Sequence, residues 1–461
     1  MATAYLHPGV YVEEVPSAVK PIAGVGTSTA GFVGVVPDTV SLAQVANAAV
    51  GLGDGSKKVF DLPAYPVSTT ANSFAFRVGG SPDSTAKVTQ DANARVARVT
   101  FDTAPAAGAP VRGDFTPQFS AVPAGEVHLC TSFSDFTALF GSFSTDAGHS
   151  NLVNAVYGFF ANGGTRCYAG REANLNAIAG GSLANMESID EIAIVVAPGI
   201  IDAGVRAAVV AHCAVRTTDR FAILDVPEVV ETANRLDLTK LSFDTAGNVL
   251  PQASDYAAVY FPWLQVDDLA RGPINVPPSG HVAGVYARVD AQRGVHKAPA
   301  NEAIMNVIDV KYPLSDAQQD GLNPQGVNAI RNLDGSLRIW GARTLGGDVN
   351  EEWRYVPIRR LFLFLRKSIY RGTAWVVFEP NDAALWAKIV RNVSAFLTNV
   401  WRDGALFGAT AQEAFYVKCD EETNPQSVRE AGRVVTEIGV AVNAPAEFVV
   451  FRISQWAGPS S

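Results

Sequence analysis

The sequence predicts a mixed α/β and α+β protein: an α/β core with parallel strands, an inserted small β-rich domain, and a C-terminal domain with a β-meander and terminal strand-donating arms. Three observations predict it. Continuous apolar runs such as IAIVVAP (192–198) and FAILDVP (221–227) alternate with helical stripes, as in a parallel sheet covered on both faces. Residues 37–123 are instead rich in Gly, Pro, Ser, Thr, Asp and Ala, with short alternating runs and no helical period. Both ends of the chain, YLHPGVYVEEV (5–15) and AEFVVFRISQW (446–456), read as strands without an evident partner, and an unpaired strand is a binding site.

In the first segment Val10 and Val12 lie on one face and Tyr11 and Glu13 on the other, with Pro8-Gly9 and Pro16 as punctuation. The segment reads as one lone strand, either an edge strand of its own domain or a docking arm; residues 1–20 are set apart as an N-terminal arm, with Val10 to Val15 as its strand and PSAVKP (16–21) following. The first core strand lies within IAGVGTSTAGFVGVV (22–36), and the core resumes at GEVHLCTS (125–132). The β-rich segment 37–123, with strands in 53–62, 74–78 and 97–115, is thus inserted into a core of residues 21–36 and 124–300. Within that core Leu152, Val156, Phe159 and Phe160 share one helical stripe, and 165–170 reads as a strand. Residues 192–198, a helix over 203–216 and residues 221–227 make a βαβ unit.

Residues 301–445 are expected to form the C-terminal domain. A helix over 358–372 is apolar nearly all round, and TAWVVFE (373–379) reads as a buried strand. Asn381 is placed to cap a helix to about 401, with Leu385, Ile389, Val393 and Phe396 on one stripe and Lys388, Arg391 and Asn392 turned elsewhere. AFYVKCD (414–420), RVVTEIGVAV (433–442) and the terminal strand form the meander, with 443–445 as its last turn. In the C-terminal arm, 446–461, Phe448 and Val450 alternate with Val449, Phe451 and Ile453, so both faces are apolar.

With 48% apolar and 18% charged residues among 461, the chain can bury sizeable cores. Its net charge of -9 and the lack of any Lys/Arg-rich run argue against a nucleic-acid partner. No signal peptide or apolar run of about 20 residues is present, so no membrane insertion is expected. The four cysteines form no CxxC pair and read as small buried hydrophobes.

Chemistry finds no template, and neither cofactor nor metal is expected. GVGTSTAG (24–31) lacks the Lys-Ser/Thr of a phosphate loop, and the third glycine of a dinucleotide fingerprint would fall on Thr29. GxSxG, HExxH and EF-hand spacings do not occur. His212 and Cys213 are adjacent, which on a helix turns their side chains about 100° apart. The acidic groups Asp267-Asp268, Glu351-Glu352 and Asp420-Glu421-Glu422 read as solvated loops. An α/β enzyme of hydrolase or nucleotide-binding type using the βαβ region remains the alternative.

Particular blocks carry more information. HPGVYVEEVPSAVKPIAGVGTSTAGFVG (7–34), VPPSGHVAGVYARVDAQRGVHKAPAN (276–301), LNPQGVNAIR (322–331), LRIWGARTL (337–345), FYVKCDEETN (415–424) and PAEFVVFRISQ (445–455) resemble, in order, blocks of the contractile tail sheath proteins of phage tails, pyocins and extracellular contractile injection systems. Residues 37–123 depart from the minimal pattern. VTFDTAPAAGAPV (99–111) looks like a β-module recurrent in phage virion proteins, so this domain is expected to face outward.

The resemblance implies a helical homo-oligomer, of hexameric rings or a six-start helix, around an inner tube protein. It would assemble in the bacterial cytoplasm on a baseplate, be closed by a terminator or cap protein, and contract once without a cofactor. The particle would be a phage tail or a released or cytoplasmic phage-like device. Val10, Tyr11, Val12, Glu13 and Val15 of one copy, and Phe448, Val449, Val450, Phe451 and Ile453 of another, would add strands to the sheet of a third. Phe415, Val417, Val435, Ile438 and Val440 are the expected acceptor residues. Lys388 and Arg391 are expected to face the tube. A scaffold polymer that does not contract is the other reading.

Overall fold

The computed structural model describes residues 21–228, 250–268 and 271–448. The chain divides into one unit of residues 26–364 with 444–461 and another of residues 1–25 with 365–443.

The larger unit is built on a nine-stranded sheet. Its strands are β1 (Ala30–Val35), β2 (Val127–Cys130), β3 (Cys167–Glu172), β4 (Ile194–Val196), β5 (Phe221–Asp225), β6 (Ala257–Phe261), β7 (Glu302–Ala303), β8 (Val327–Leu333) and β9 (Ser336–Ile339). They stand in the order β2-β3-β1-β4-β5-β6-β8-β9-β7. The six from β3 to β8 run parallel. Antiparallel β2 closes one edge, and β9 and β7 close the other.

Side chains alternate across a strand, and the two faces separate accordingly. Phe221 and Ile223 join Val156 and Phe159 of α1 (Ala147–Ala161), whereas Ala222 and Leu224 join Val205 and Val209 of α2 (Ala203–Ala211). Helix α1 starts before the expected position because the Asp146 carboxylate accepts from the His149 N–H. Regular α-helix in α2 stops at Ala211, and wider π turns, His212–Thr217, complete the expected span. Helix α3 (Ser279–Arg293) lies against α1 nearly backbone to backbone: a Cβ on Gly280 would sit 2.4 Å from Ala155 Cα, and one on Gly284 2.4 Å from the Phe159 carbonyl.

Between β1 and β2 the chain builds a separate β core. Val45–Leu52, Phe74–Val78, Ser81–Asp83 and Pro110–Phe115 form one sheet, and Val59–Asp61, Lys87–Asp91 and Val96–Thr100 another. Phe60, Phe76, Val99, Phe101 and Phe115 fill its interior. Thr39–Ser41 pairs with Gln118–Ser120 where the chain enters and leaves.

The sheet runs past the boundary expected at residue 300. Because β8 pairs in parallel with β6, residues up to 364 belong with the core, and the division falls inside α4 (Val356–Gly372). After α4, TAWVVFE is not a buried strand. Ala374–Val376 is a 3-10 turn, Val377 and Phe378 are exposed, and Phe378 has a φ of 71°. The stretch joins the end of α4 directly to the N-cap of α5 (Ala383–Arg402), and no neighbouring strand receives it among the described residues.

Asp382 rather than Asn381 caps α5, accepting from the Leu385 N–H at 2.8 Å. Asn381 accepts from Trp386 Nε1 at 2.9 Å and donates to the Arg433 carbonyl at 2.8 Å. The buried stripe of α5 contains Leu385, Ile389, Val393 and Phe396 as expected, and also Asn392, which was expected to turn outward. An antiparallel hairpin of β10 (Phe415–Lys418) and β11 (Glu437–Val440) follows. Tyr416 stands opposite Gly439, where any Cβ would meet its ring. The expected meander thus has two strands in the described region, and its third lies almost wholly outside it. All four cysteines are buried and free. Among the described residues no helix is long and apolar enough to cross a membrane.

Substituting Gly280 by Val is expected to force α1 and α3 apart and to lower stability by about 1–3 kcal/mol, read as a reduced urea midpoint at unchanged slope.

Candidate functional site

The β10–β11 hairpin is left with unpaired edges among the described residues. Each of its strands has one paired neighbour, so each keeps a free edge among the described residues. Just beyond β11, Leu406 bridges Val442 and the Phe407 N–H donates to the Ala441 carbonyl at 2.8 Å, but this contact stops short of the strand itself. A hairpin alone is marginal in water, and a free edge is a template for another strand.

Four of the five expected acceptor residues, Phe415, Val417, Ile438 and Val440, are half-buried on this hairpin. Val435 is not on a strand. Its N–H donates to Asn424 Oδ1 at 2.7 Å and its carbonyl accepts from Asn424 Nδ2 at 3.0 Å, so a side chain takes the bonds a ladder would have made. Val10, Tyr11, Val12, Glu13 and Val15, with Val449, Val450, Phe451 and Ile453, lie outside the described residues. Phe448 is the last residue described, and it is exposed.

Lys388 and Arg391 are exposed on α5, a helix that carries Arg402 as its only other charge. Neither pairs with a carboxylate among the described residues. The result is a basic face on an acidic chain.

Two buried guanidinium clusters hold Glu447 and Thr27. Arg343 donates from Nε to Glu447 Oε1 and from Nη2 to Oε2, both at 2.8 Å. Asn323 Nδ2 and the Tyr355 hydroxyl donate to the same carboxylate, each at 2.8 Å. Burial works to raise the Glu447 carboxyl, but the bonds from Arg343, Asn323 and Tyr355 outweigh it and hold it below the usual range. Arg343 is itself fixed by Asn328 of β8, which accepts from its N–H at 2.7 Å and donates to its carbonyl at 2.8 Å.

In the second cluster Arg360 grips Asp290 of α3 with two bonds of 2.9 and 2.6 Å and donates to the Thr27 carbonyl at 3.0 Å. The Thr27 hydroxyl donates to Asp290 at 2.6 Å, and the guanidinium stacks 4.6 Å from the Tyr286 ring. Burial opposes the Arg360 charge, and Asp290 outweighs it. Sequence reasoning missed all four charged partners. The available signal was a lone acid in PAEFVVFRISQ and the arginines of LRIWGARTL (337–345) and IRRLFLFLRKSIYRG (358–372).

His212, Cys213, Asp268 and the glycine-rich 24–31 are tied into the fold. Burial pushes the Cys213 thiol up and, together with the Arg220 charge, lowers His212 to about 4. Arg220 Nη1 donates to His212 Nε2 at 2.8 Å, so the imidazole is a neutral acceptor rather than a base for a thiol. At the carboxyl end of the parallel strands, where such sheets bind ligands, Asp225 is raised to about 6 by burial. Its carboxylate accepts from the Gly199 and Ser279 N–H groups and the Ser279 hydroxyl, at 2.9, 3.0 and 2.6 Å. Asp268 is buried and accepts from Asn154 and the Arg271 N–H. The glycine-rich 24–31 leads into β1, and its Thr27 sits on the Asp290 carboxylate, which would repel a phosphate.

The family model of the phage tail sheath protein central domain matches residues 174–345, and that of the phage tail sheath C-terminal domain matches 348–455. Together they take in more than half of the chain. This chain belongs to the phage tail sheath family.

Curated tail sheath proteins agree over their matching parts. That of Burkholderia phage BcepMu is 29% identical over 208 residues, 43% of this chain and 42% of the relative, and that of Vibrio phage KVP40 is 29% identical over 180 residues, 38% and 25% respectively. The alignments span less than half of either relative. Two solved sheaths match over nearly their whole length. The PVC sheath complex of an extracellular contractile injection system, in its contracted state, has a TM-score of 0.66 at 25% identity and covers 99% of each chain. The helical sheath of the anti-feeding prophage, also contracted, has a TM-score of 0.63 at 26% identity and covers 97% of this chain and 99% of that one.

Replacing Asp290 with Ala leaves the Arg360 charge buried without its carboxylate, and a loss of about 3–5 kcal/mol is expected in chemical denaturation.

Proposed function

We propose that this chain is the repeating subunit of a contractile sheath that polymerises helically around an inner tube and shortens to drive that tube through a target envelope. The observation that carries the reading is the end-to-end likeness to contracted injection-system sheaths, combined with a hairpin whose edges lack partners among the described residues. The arm residues 10–15 of one copy and 448–453 of another complete that hairpin through Phe415, Val417, Ile438 and Val440, in the manner of strand addition. Lys388 and Arg391 meet an acidic surface of the tube, since an exposed, unpaired basic face on an acidic chain attracts a complementary one.

The outer domain 37–123 points away from the tube, and a baseplate and a cap bound the polymer. Assembly takes place in the bacterial cytoplasm, and the likeness to injection-system sheaths favours a particle of that class. Contraction proceeds by repacking of rigid blocks from a metastable extended lattice, which requires no nucleotide.

Negative-stain microscopy of the purified chain should show helical tubes, and a monodisperse monomer at high concentration would contradict the reading. Deleting residues 1–15 should abolish long tubes while circular dichroism reports a folded body. With the tube protein as template, Lys388→Glu with Arg391→Glu should cut extended assembly at least several-fold, and unchanged assembly would remove α5 as the tube contact.

A further inference from the structure

Among the described residues, the Glu447 carboxylate makes every hydrogen bond formed by residues 444–448. Ala444, Ala446 and Phe448 around it are exposed. An ion pair serving only to brace a fold would sit among packed neighbours. Here one carboxylate, held by four bonds from three residues, is among the described residues the sole polar attachment of residues 444–448, in which Pro445 is half-buried. Its holder, Arg343, is locked through Asn328 to the Val259 carbonyl of β6, so the attachment is continuous with the central sheet. At the other end Arg360 and Asp290 fix both the hydroxyl and the carbonyl of Thr27, three positions before β1, but there the preceding residues are held as well: the Val25 N–H donates to Ser368 Oγ at 3.1 Å and Ile22 is buried.

We infer that Arg343 is a positioning residue, the fixed root from which the C-terminal segment leaves the body, so that the point of departure is set by Glu447. This rests on the sheath reading above. A segment that adds a strand to another copy transmits any pull to its own root. If the root slipped, the strand register on the acceptor would be lost before the lattice could move as a block. A bidentate guanidinium–carboxylate pair has the directionality to resist this, because it fixes orientation as well as position.

The test uses the full-length chain with a nitroxide on Ala446→Cys, a selective site because the native cysteines are buried. In the otherwise unaltered chain the spectrum should be that of a restricted label. With Glu447→Gln, which keeps the shape and removes the charge while Asp348 still pairs with Arg343 at 2.8 Å, the label's correlation time should fall several-fold while circular dichroism still reports a folded body. Tyr355→Phe, removing one of the four bonds, should give an intermediate spectrum. Identical spectra in all three chains would overturn the proposal.

Polymerisation separates this from the sheath reading. Tubes from the unaltered chain, with short or no tubes from Glu447→Gln, support the root. Tubes of equal length from both overturn it and leave the sheath reading intact. No tubes from the unaltered chain overturn the sheath reading and the root together.

Discussion

Backbone N–H and C=O groups must be paired or solvated, and the two units of this chain meet that constraint differently. In the larger unit six parallel strands are buried on both faces, and antiparallel β2, β9 and β7 end the sheet on short strands. In the smaller unit a two-stranded hairpin packs on α5 with free edges among the described residues. A body whose open sheet ends on short strands and a hairpin with both edges free are what a polymer built by strand addition needs. The first gives a rigid block, and the second gives a place to join.

Much of this was legible in the chain. Apolar runs at 192–198 and 221–227 announced buried parallel strands because a strand covered on both faces cannot alternate. The glycine- and serine-rich composition of 37–123 announced a separate β core. Failures came where tertiary context overrode local pattern. TAWVVFE has the composition of a strand, yet it bridges the end of α4 and the cap of α5 and has no sheet to enter, so it turns and leaves Val377 and Phe378 at the surface. Val435 reads as one more strand residue, and the Asn424 side chain intercepts both of its backbone groups. The Arg343–Glu447 and Arg360–Asp290 pairs join positions 104 and 70 residues apart, a separation no local pattern reports.

These pairs also bear on how a lattice of weak contacts can move as one. A single added strand gains about 1 kcal/mol net per backbone hydrogen bond and loses about 1–2 kcal/mol per residue ordered, so it is marginal alone. Several such links to each copy raise the effective concentration of every remaining link when one lets go. That benefit depends on the reach of each segment, which its root sets. The buried Arg343 ties the proposed C-terminal root to the body rather than to the segment.

The most direct measurement is a helical reconstruction by electron cryomicroscopy of tubes grown from the purified chain, at a resolution that separates strands. Additional strands from neighbouring copies are expected along the free edges of β10 and β11, with the Arg343–Glu447 pair intact in every copy. A polymer in which the hairpin remains two-stranded, with copies joined through other surfaces, would contradict it.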